Sequence, residues 1–362
     1  MSAPQPRAIY DALRATVIGQ DEALREVSVA LVKHLGGHPA PNILIIGNSG
    51  TGKTTLMKAV ERWLAAGPET VQLANLIRIN ANVLAEEHAG YGRAVLTRLW
   101  TNARRTLGPS ASAETIREAV ERGIVFIDEV DKIRAHVGDA PNVRGIVAQE
   151  ALLTLMENEN IEFHPPEAGL APIAMNSSRM LFVAGGAFED LYDAVLRRAL
   201  TGADNPPLRP RVVVSSTGEV REELPFHLRD FVRYDDLFRY GMTPQFLSRF
   251  ESIIVLNDLV EEQLARIFVE PEGSIFRLSR DYFREFDIDL QITRAAVRAI
   301  AWEASRHKRL GARALKEIFR KVIRDLEFAP SVPPAADGKR VLTIEESHVR
   351  AAIEPKEPAR RA

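Results

Sequence analysis

Short runs of apolar residues recur along the first two-thirds of the chain, and amphipathic stretches separate one run from the next. Five runs have the length and composition of buried strands, and they cover residues 42–47, 76–80, 123–129, 179–185 and 252–258. Two of the stretches, 54–67 and 147–158, repeat apolar residues at helical spacing. Buried strands that alternate with helices indicate a parallel sheet covered on both faces. The pattern therefore predicts an α/β fold.

The pattern changes after about residue 258, where helical spacing dominates. The helical segments are 260–268, 293–311 and 311–328, and a strand-like segment at 339–346 follows a proline-rich loop. We therefore expect three regions, which are an α/β domain over residues 1–258, a small and mainly helical domain over residues 259–353, and a flexible tail over residues 354–362.

Composition limits the classes of protein to which the chain can belong. Of its 362 residues, 46% are apolar and 27% are charged, which is typical of a globular protein with a sizeable core. A net charge of −2 argues against a dedicated nucleic-acid or anionic-membrane surface. The absence of cysteine excludes disulfides, iron–sulfur clusters and cysteine-based zinc sites. Because no signal-peptide core and no apolar run of membrane-spanning length is present, we expect a cytoplasmic protein.

A phosphate-binding motif follows the first predicted strand. The segment GNSGTGKTT fits the pattern of a glycine, four residues and then Gly-Lys-Thr, and it leads directly into a helix. Glycines let backbone N–H groups surround phosphate oxygens at a helix N-terminus, while Lys53 supplies a positive charge and Thr54 a magnesium ligand. The residues expected to bind nucleotide here are Gly47, Asn48, Ser49, Gly50, Thr51, Gly52, Lys53, Thr54 and Thr55.

Two carboxylates end the third predicted strand, in the segment GIVFIDEVDKI. The carboxyl end of a buried parallel strand is the place where open α/β sheets bind ligands. Asp128 is expected to hold Mg²⁺ through water, and Glu129 to orient and polarise the water that attacks the γ-phosphate. Together the two motifs predict a nucleoside triphosphatase.

Seven motifs follow one another along the chain, namely VIGQDEALREVSVALVKH, GNSGTGKTT, AGYG, IVFIDEVDKI, LFVAGGAF, TPQFLSRFESIIVLNDL and GARALKEIF. In content and order they resemble those of the ClpX and HslU branch of AAA+ unfoldases, over roughly residues 8–350. The resemblance implies an AAA+ α/β domain, a helical lid domain and a homo-oligomeric ring, normally a hexamer. It also implies an ATPase that uses ATP and Mg²⁺, acts on polypeptide substrates and has no protease active site of its own.

The resemblance assigns roles to further residues, position by position. The motif that approaches the adenine corresponds here to Val17, Ile18, Gly19 and Gln20. Arg249 matches the arginine that a ring neighbour inserts toward the γ-phosphate, where a guanidinium stabilises transition-state charge. Arg313 matches the lid-domain arginine that senses the nucleotide. Residues 184–186, AGG, stand where many AAA+ proteins keep a polar sensor, so no sensing side chain is assigned there.

Tyr91 lies between two glycines in the segment AGYG. Such a tyrosine contributes little to a core, since glycine provides neither side-chain contacts nor backbone rigidity. The segment resembles the loop that projects an aromatic ring into the central pore of these motors and grips an extended polypeptide. The family form is Gly-Tyr-Val-Gly, so this chain lacks one residue and Arg93 follows directly. The alternative is a turn in which Tyr91 packs against a neighbouring residue.

Three features of the resembling family have no counterpart in the sequence. No cysteine is available for the zinc module that precedes the motor in ClpX. Residues 162–178 stand where ClpX carries an Arg-Lys-His substrate loop, and residues 197–230 stand where it displays an Ile-Gly-Phe tripeptide that docks on the peptidase ring. Neither triplet is present. The sequence therefore leaves substrate delivery and a peptidase partner unassigned.

Three functions remain open from the sequence. The main prediction is an ATP-dependent protein unfoldase or remodelling motor, in which Mg-ATP hydrolysis in a ring drives polypeptide translocation through a central pore. One alternative is a nucleotide-gated AAA+ scaffold, in which ATP controls only assembly and partner binding. The other is a DNA-handling AAA+ ATPase, for which the sequence shows neither a basic pore nor a dedicated nucleic-acid site.

Overall fold

The computed structural model describes residues 4–67, 74–86, 91–157, 160–167, 169–201, 208–214, 220–331, 333, 338 and 340–353. The chain divides into two compact units, of which the first is made of residues 1–47 and 53–257 and the second of residues 48–52 and 258–362. Five residues of the phosphate-binding loop thus belong to the second unit. The domain limits derived from the sequence stay a prediction, and the predicted tail lies outside the described residues.

The first unit is an α/β assembly. Its helices are α1 (Pro6–Arg14), α2 (Asp21–Leu35), α3 (Lys53–Ala66), α4 (Ala81–Glu86), α5 (Tyr91–Leu107), α6 (Ala113–Glu121), α7 (Val143–Glu157), α8 (Glu189–Leu200), α9 (Leu228–Phe231), α10 (Tyr234–Tyr240) and α11 (Pro244–Leu247). Its strands are β1 (Ile43–Ile46), β2 (Leu76–Asn80), β3 (Ile124–Asp128), β4 (His136–Val137), β5 (Ala140–Pro141), β6 (Ile161–Phe163), β7 (Ile173–Met175), β8 (Leu181–Gly186), β9 (Arg211–Val214), β10 (Val220–Glu223) and β11 (Ser252–Val255).

One parallel sheet of five strands organises the first unit, in the order β11-β1-β8-β3-β2. Successive residues of a strand point to opposite faces, so Leu44 and Ile46 join one hydrophobic core while Ile43 and Ile45 join another. Helices α5, α6 and α7 contribute to the first core, and helices α1, α2 and α3 to the second. Both faces of the sheet are covered, which confirms the predicted α/β fold.

The hydrophobic pattern located every strand of this sheet. The ends of the predicted segments differ from those of the strands by no more than three residues. The pattern did not predict the three short antiparallel pairs β4–β5, β6–β7 and β9–β10. The strands β4 to β7 have two or three residues, which are too few alternating positions for periodicity to identify them, and β9 and β10 were missed although they have four residues each.

The second unit is mainly helical. It contains α12 (Glu261–Val269), α13 (Ile275–Arg284), α14 (Arg294–Ser305), α15 (Ala312–Phe328) and α16 (Glu346–Ile353), with the parallel strands β12 (Ile288–Ile292) and β13 (Arg340–Ile344). Three buried rings, of Phe268, Phe283 and Phe319, lie in its hydrophobic core. No helix in the described part of the chain is both long and apolar enough to cross a membrane.

Candidate nucleotide site

The phosphate-binding loop starts where β1 ends. The N–H of Gly47 donates to the carbonyl of Gly186 on β8 at 3.2 Å. The ammonium of Lys53, at the start of α3, donates to the Gly47 carbonyl, and the Lys53 residue is only 9% exposed. A Cβ on Gly185 would lie 3.2 Å from the methyl group of Met57, so this strand leaves little space beside the lysine. A buried ammonium at the N-terminus of a helix has the chemistry of a phosphate site.

The middle of the loop makes a close backbone contact with the segment that begins α15. The Gly50 carbonyl accepts the N–H of Ala312 at 3.1 Å. A Cβ on Gly50 would lie 2.2 Å from the carbonyl oxygen of Leu310, and φ of Gly50 is +73°. Both facts require glycine at this position. The contact brings the backbone of Arg313 next to the loop, since its nitrogen lies 3.0 Å from the same Cβ position.

Side chains within the loop supply polar groups of their own. Asn48 Nδ2 donates to Asp258 Oδ1 at 3.1 Å, and Thr51 Oγ1 donates to the Asn48 carbonyl at 2.8 Å. The hydroxyl of Ser49 is buried and finds no hydrogen-bond partner among the described residues. A buried hydroxyl of this kind favours a polar ligand, because leaving it unpaired costs about 1–3 kcal/mol. The loop therefore suits the polyphosphate of a nucleotide.

Thr54 and Asp128 bring two oxygen donors together at the carboxyl end of the sheet. Thr54 Oγ1, in the first turn of α3, donates to Asp128 Oδ2 at the end of β3, at 3.2 Å. Hydroxyl and carboxylate oxygens, completed by water and phosphate, are the ligands that Mg²⁺ prefers. The donor set therefore fits magnesium.

Glu129 follows β3 in a left-handed backbone conformation, with φ of +59°. This conformation costs a non-glycine residue about 1–2 kcal/mol. Two hydrogen bonds hold it, since the Glu129 N–H donates to Asp128 Oδ1 and the Glu129 carbonyl accepts the N–H of Lys132, each at 3.0 Å. The Glu129 residue is exposed. A strained residue that carries an accessible carboxylate beside a candidate magnesium ligand has the placement expected of a catalytic base.

Two asparagines hold the Glu129 carboxylate, and the sequence analysis missed both. Asn80 Nδ2 and Asn82 Nδ2 donate to the same oxygen, Oε2, at 2.9 and 3.1 Å. Asn80 ends β2 directly beside Asp128 of β3. Its Oδ1 accepts the N–H of Asn82 at 2.9 Å, at the start of α4. A polar residue at the end of the strand next to the acidic one is the signal that could have identified Asn80.

The predicted adenine motif lies just before α2. Val17 and Ile18 are buried, at 2% and 7% exposure, and φ of Gly19 is +83°. Gln20 exchanges two hydrogen bonds with the backbone of Asn257, at 2.9 and 3.0 Å, and so joins the start of α2 to the end of β11. This is a structural role for Gln20. A role of residues 17–20 in binding the adenine of the nucleotide stays a prediction.

Arg249 precedes β11 and lies at the amino end of the sheet. Asn42, which precedes β1, donates from Nδ2 to the Arg249 carbonyl at 3.1 Å, and β1 and β11 run parallel. The four residues of β1 span roughly 13 Å, and Lys53 follows the opposite, carboxyl end of this strand. The Arg249 guanidinium pairs with Glu157 at the end of α7, and its buried Nε finds no acceptor among the described residues. Arg249 therefore lies away from the phosphate-binding end of its own sheet.

Two comparisons identify the family. The sequence profile of the ATPase family associated with various cellular activities (AAA) matches residues 43–202. The chain is 32% identical to the ATP-dependent Clp protease ATP-binding subunit ClpX of Treponema denticola, over 94% of this chain and 80% of that protein. The chain belongs to the ClpX family.

Other ClpX proteins resemble the chain over a similar length. Those of Borrelia duttonii and Bacteroides thetaiotaomicron are each 29% identical to it, over 97% and 94% of this chain and 80% of each relative. As a ClpX-family AAA+ ATPase, the chain self-assembles, hydrolyses ATP with Mg²⁺ as cofactor and acts on polypeptides as an ATP-dependent unfoldase. The main functional prediction is therefore supported over the scaffold and DNA-handling alternatives.

The segments 162–178 and 197–230, which lack the ClpX triplets, are described to different extents by the structure. The segment 162–178 is tied to α5, because Trp100 Nε1 donates to Glu167 Oε2 at 2.6 Å and Arg104 Nε lies 3.1 Å from Glu167 Oε1. In the segment 197–230, residues 202–207 and 215–219 lie outside the described residues, and β9 pairs with β10 between them.

Tyr91 is the first residue of α5, a helix of 17 residues. Residues 87–90 lie outside the part of the chain that the structure describes, and so does the side chain of Tyr91. Helix α5 also contacts the segment 162–178, because its Trp100 Nε1 donates to Glu167 Oε2. The pore role of Tyr91 stays a prediction.

Proposed function

We propose that this ClpX-family unfoldase hydrolyses ATP with Lys53, Thr54, Asp128 and Glu129, at the carboxyl end of its parallel sheet. The observation that carries the proposal is the contact of Thr54 with Asp128 beside a held Glu129 carboxylate. Lys53 exchanges the Gly47 carbonyl for phosphate oxygens, which are stronger acceptors. Thr54 would hold Mg²⁺ directly and Asp128 would hold it through water, and the ion would neutralise charge on the phosphates. Glu129 orients the attacking water and accepts its proton.

The remaining nucleotide contacts belong to the same proposal. Residues 47–55 bind the phosphates, residues 17–20 approach the adenine, and Arg313 senses the nucleotide. The hydrogen bond between the Gly50 carbonyl and Ala312 supports the role of Arg313, because it fixes the start of α15 against the loop.

Arg249 acts on the nucleotide of a neighbouring copy in a ring that we propose to be a hexamer in the cytoplasm. The action of Arg249 on a neighbouring copy is supported by its position at the amino end of the sheet, because Lys53 follows the other end. Glu157 neutralises the guanidinium until a γ-phosphate replaces it. Hydrolysis therefore depends on assembly, since Arg249 lies away from the phosphate-binding loop of its own subunit.

Tyr91 contacts the polypeptide in the pore, and α5 supports its loop. The relatives are named as ATP-binding subunits of an ATP-dependent Clp protease. This chain lacks the Ile-Gly-Phe tripeptide in residues 197–230, so we propose that unfolding does not require a peptidase. Unfolding of a fluorescent protein in ATP, measured with and without a ClpP-type peptidase, tests this separately, and unfolding that occurs only with the peptidase would contradict it.

The experiment measures ATP turnover of the protein alone, with a chemically unfolded polypeptide and with double-stranded DNA. Polypeptide should raise the rate and DNA should not. Glu129→Gln should bind ATP without hydrolysing it, and Lys53→Ala should bind none, which separates the two site roles. A rate that responds to DNA, or to neither addition, would contradict the proposed function.

A further inference from the structure

A pocket of about 450 Å³ opens on the second unit between α12, α13, β12 and the start of α14. Its lining is largely apolar and includes Val269 and Val297, and the charged part of the lining consists of Arg277, Arg280, Arg294 and Arg298. None of the lining residues found in the described part of the chain is acidic. Four positive groups around one apolar pocket repel each other, so they favour an anionic ligand.

Two of these arginines have no compensating charge. Arg294 and Arg298 lie one turn apart and are exposed, and neither makes an ion pair or hydrogen bond with any described residue. Thr293 caps the same helix by accepting the N–H of Ala296 at 3.2 Å. The positive end of the α14 dipole therefore adds to the potential of the two guanidinium groups.

The other two arginines are fixed in place by the protein. Arg277 Nε donates to the Val269 carbonyl at 3.2 Å, which orients the guanidinium and leaves its terminal nitrogens for a ligand. Arg280 pairs with Asp289 at 3.4 Å, while its buried Nε finds no acceptor within the described residues. The pocket thus combines two oriented guanidinium groups with the two that have no partner.

The chemistry of the lining restricts the ligand. The polar side chains in the lining are all arginines, which only donate hydrogen bonds, so they match carboxylates and do not read the mixed donors and acceptors of a nucleotide base. The apolar lining gains free energy only from an aliphatic or aromatic group. Pockets of roughly 300–1,000 Å³ accommodate such groups. Polypeptides place carboxylates and apolar side chains next to one another.

We propose that this pocket binds an acidic segment of a partner polypeptide that inserts one aliphatic or aromatic side chain between α12 and α14. None of its described lining residues is among the residues assigned to the nucleotide, so it recruits a partner rather than contributing to hydrolysis.

The test uses the full-length protein in ATP and a set of fluorescein-labelled short peptides that combine Asp and Glu with one Leu, Ile or Phe. Binding is followed by fluorescence anisotropy. The variant is Arg294→Ala with Arg298→Ala, both on an exposed helix face where alanine favours the helix. The matched control is Arg320→Ala with Lys321→Ala, which removes the same charge from α15 outside the pocket lining.

We expect some of the peptides to bind. The variant at Arg294 and Arg298 should bind these peptides with an affinity lower on the order of tenfold, and the control variant should bind them as the wild type does. Replacing the apolar residue of a bound peptide by Ser should also lower the affinity of that peptide. Basal ATP turnover should be unchanged in both variants of the protein. The proposal is overturned if no peptide binds, if the variant binds as well as the wild type, or if inorganic phosphate competes as strongly as peptide. Loss of ring assembly in the variant would also overturn it, since a second copy would then occupy the pocket.

Discussion

The substitution Asn80→Asp tests whether the asparagines beside Glu129 position its carboxylate, which we propose to be catalytic. It removes the donor of the 2.9 Å hydrogen bond to Glu129 Oε2 and places a second negative charge beside it. The new side chain keeps an oxygen that can accept the N–H of Asn82, so the start of α4 should be unaffected. The expected result is slower hydrolysis with normal ATP binding.

The size of the effect follows from the geometry. Loss of a hydrogen bond to a carboxylate costs about 1 kcal/mol at an exposed site. Two unit charges about 4 Å apart repel each other by about 1 kcal/mol in water. Because Glu129 is exposed to solvent, the repulsion between its carboxylate and the introduced carboxylate should be close to this value. The sum, about 2 kcal/mol, corresponds to a decrease in kcat of about 30-fold.

The assay is steady-state ATP turnover at saturating ATP, with nucleotide affinity measured by fluorescence titration and assembly by sedimentation. Asn82→Ala is the matched control, because it removes the 3.1 Å hydrogen bond to the same oxygen without adding charge. Its kcat should fall about fivefold. An unchanged or higher kcat for Asn80→Asp in intact rings would refute a positioning role.

Three further substitutions test other parts of the site. Gly50→Ala places a Cβ 2.2 Å from a carbonyl oxygen and should weaken ATP binding at least tenfold in titrations, whereas Gly138→Ala, with open space around it, should not. Arg249→Ala should lose ATP turnover. Mixing it with Lys53→Ala subunits, which keep Arg249, should restore part of the turnover, and a failure to restore it would argue against action across subunits. Tyr91→Ala should keep ATP turnover but lose unfolding of a fluorescent protein, and normal unfolding would contradict the pore role.

Much of the fold could be predicted because its strands and helices are encoded by patterns of residues that are close together in the sequence. Apolar runs such as residues 42–47 and 123–129 are long enough to identify buried strands, and the helices between them require a parallel sheet. The pairs β4–β5 and β6–β7 could not be found in this way, since their strands are too short to show a period.

The sequence by itself determined the phosphate loop and the acidic strand end. Both motifs consist of neighbouring residues, and a loop that surrounds phosphate needs its glycines, lysine and threonine at fixed spacing. Their presence was therefore visible before any tertiary contact was known, whereas the hydrogen bond between Thr54 and Asp128 appears only in the structure.

The tertiary structure alone decided which distant residues act on these motifs. The register of β2 against β3 places Asn80 beside Asp128 and lets its amide reach Glu129. The parallel pairing of β1 with β11 puts Arg249 at the far end of the sheet from the phosphate loop. Helix packing brings four separated arginines to one pocket. Contacts of this kind depend on strand register and on packing between segments far apart in the chain, which no local pattern encodes.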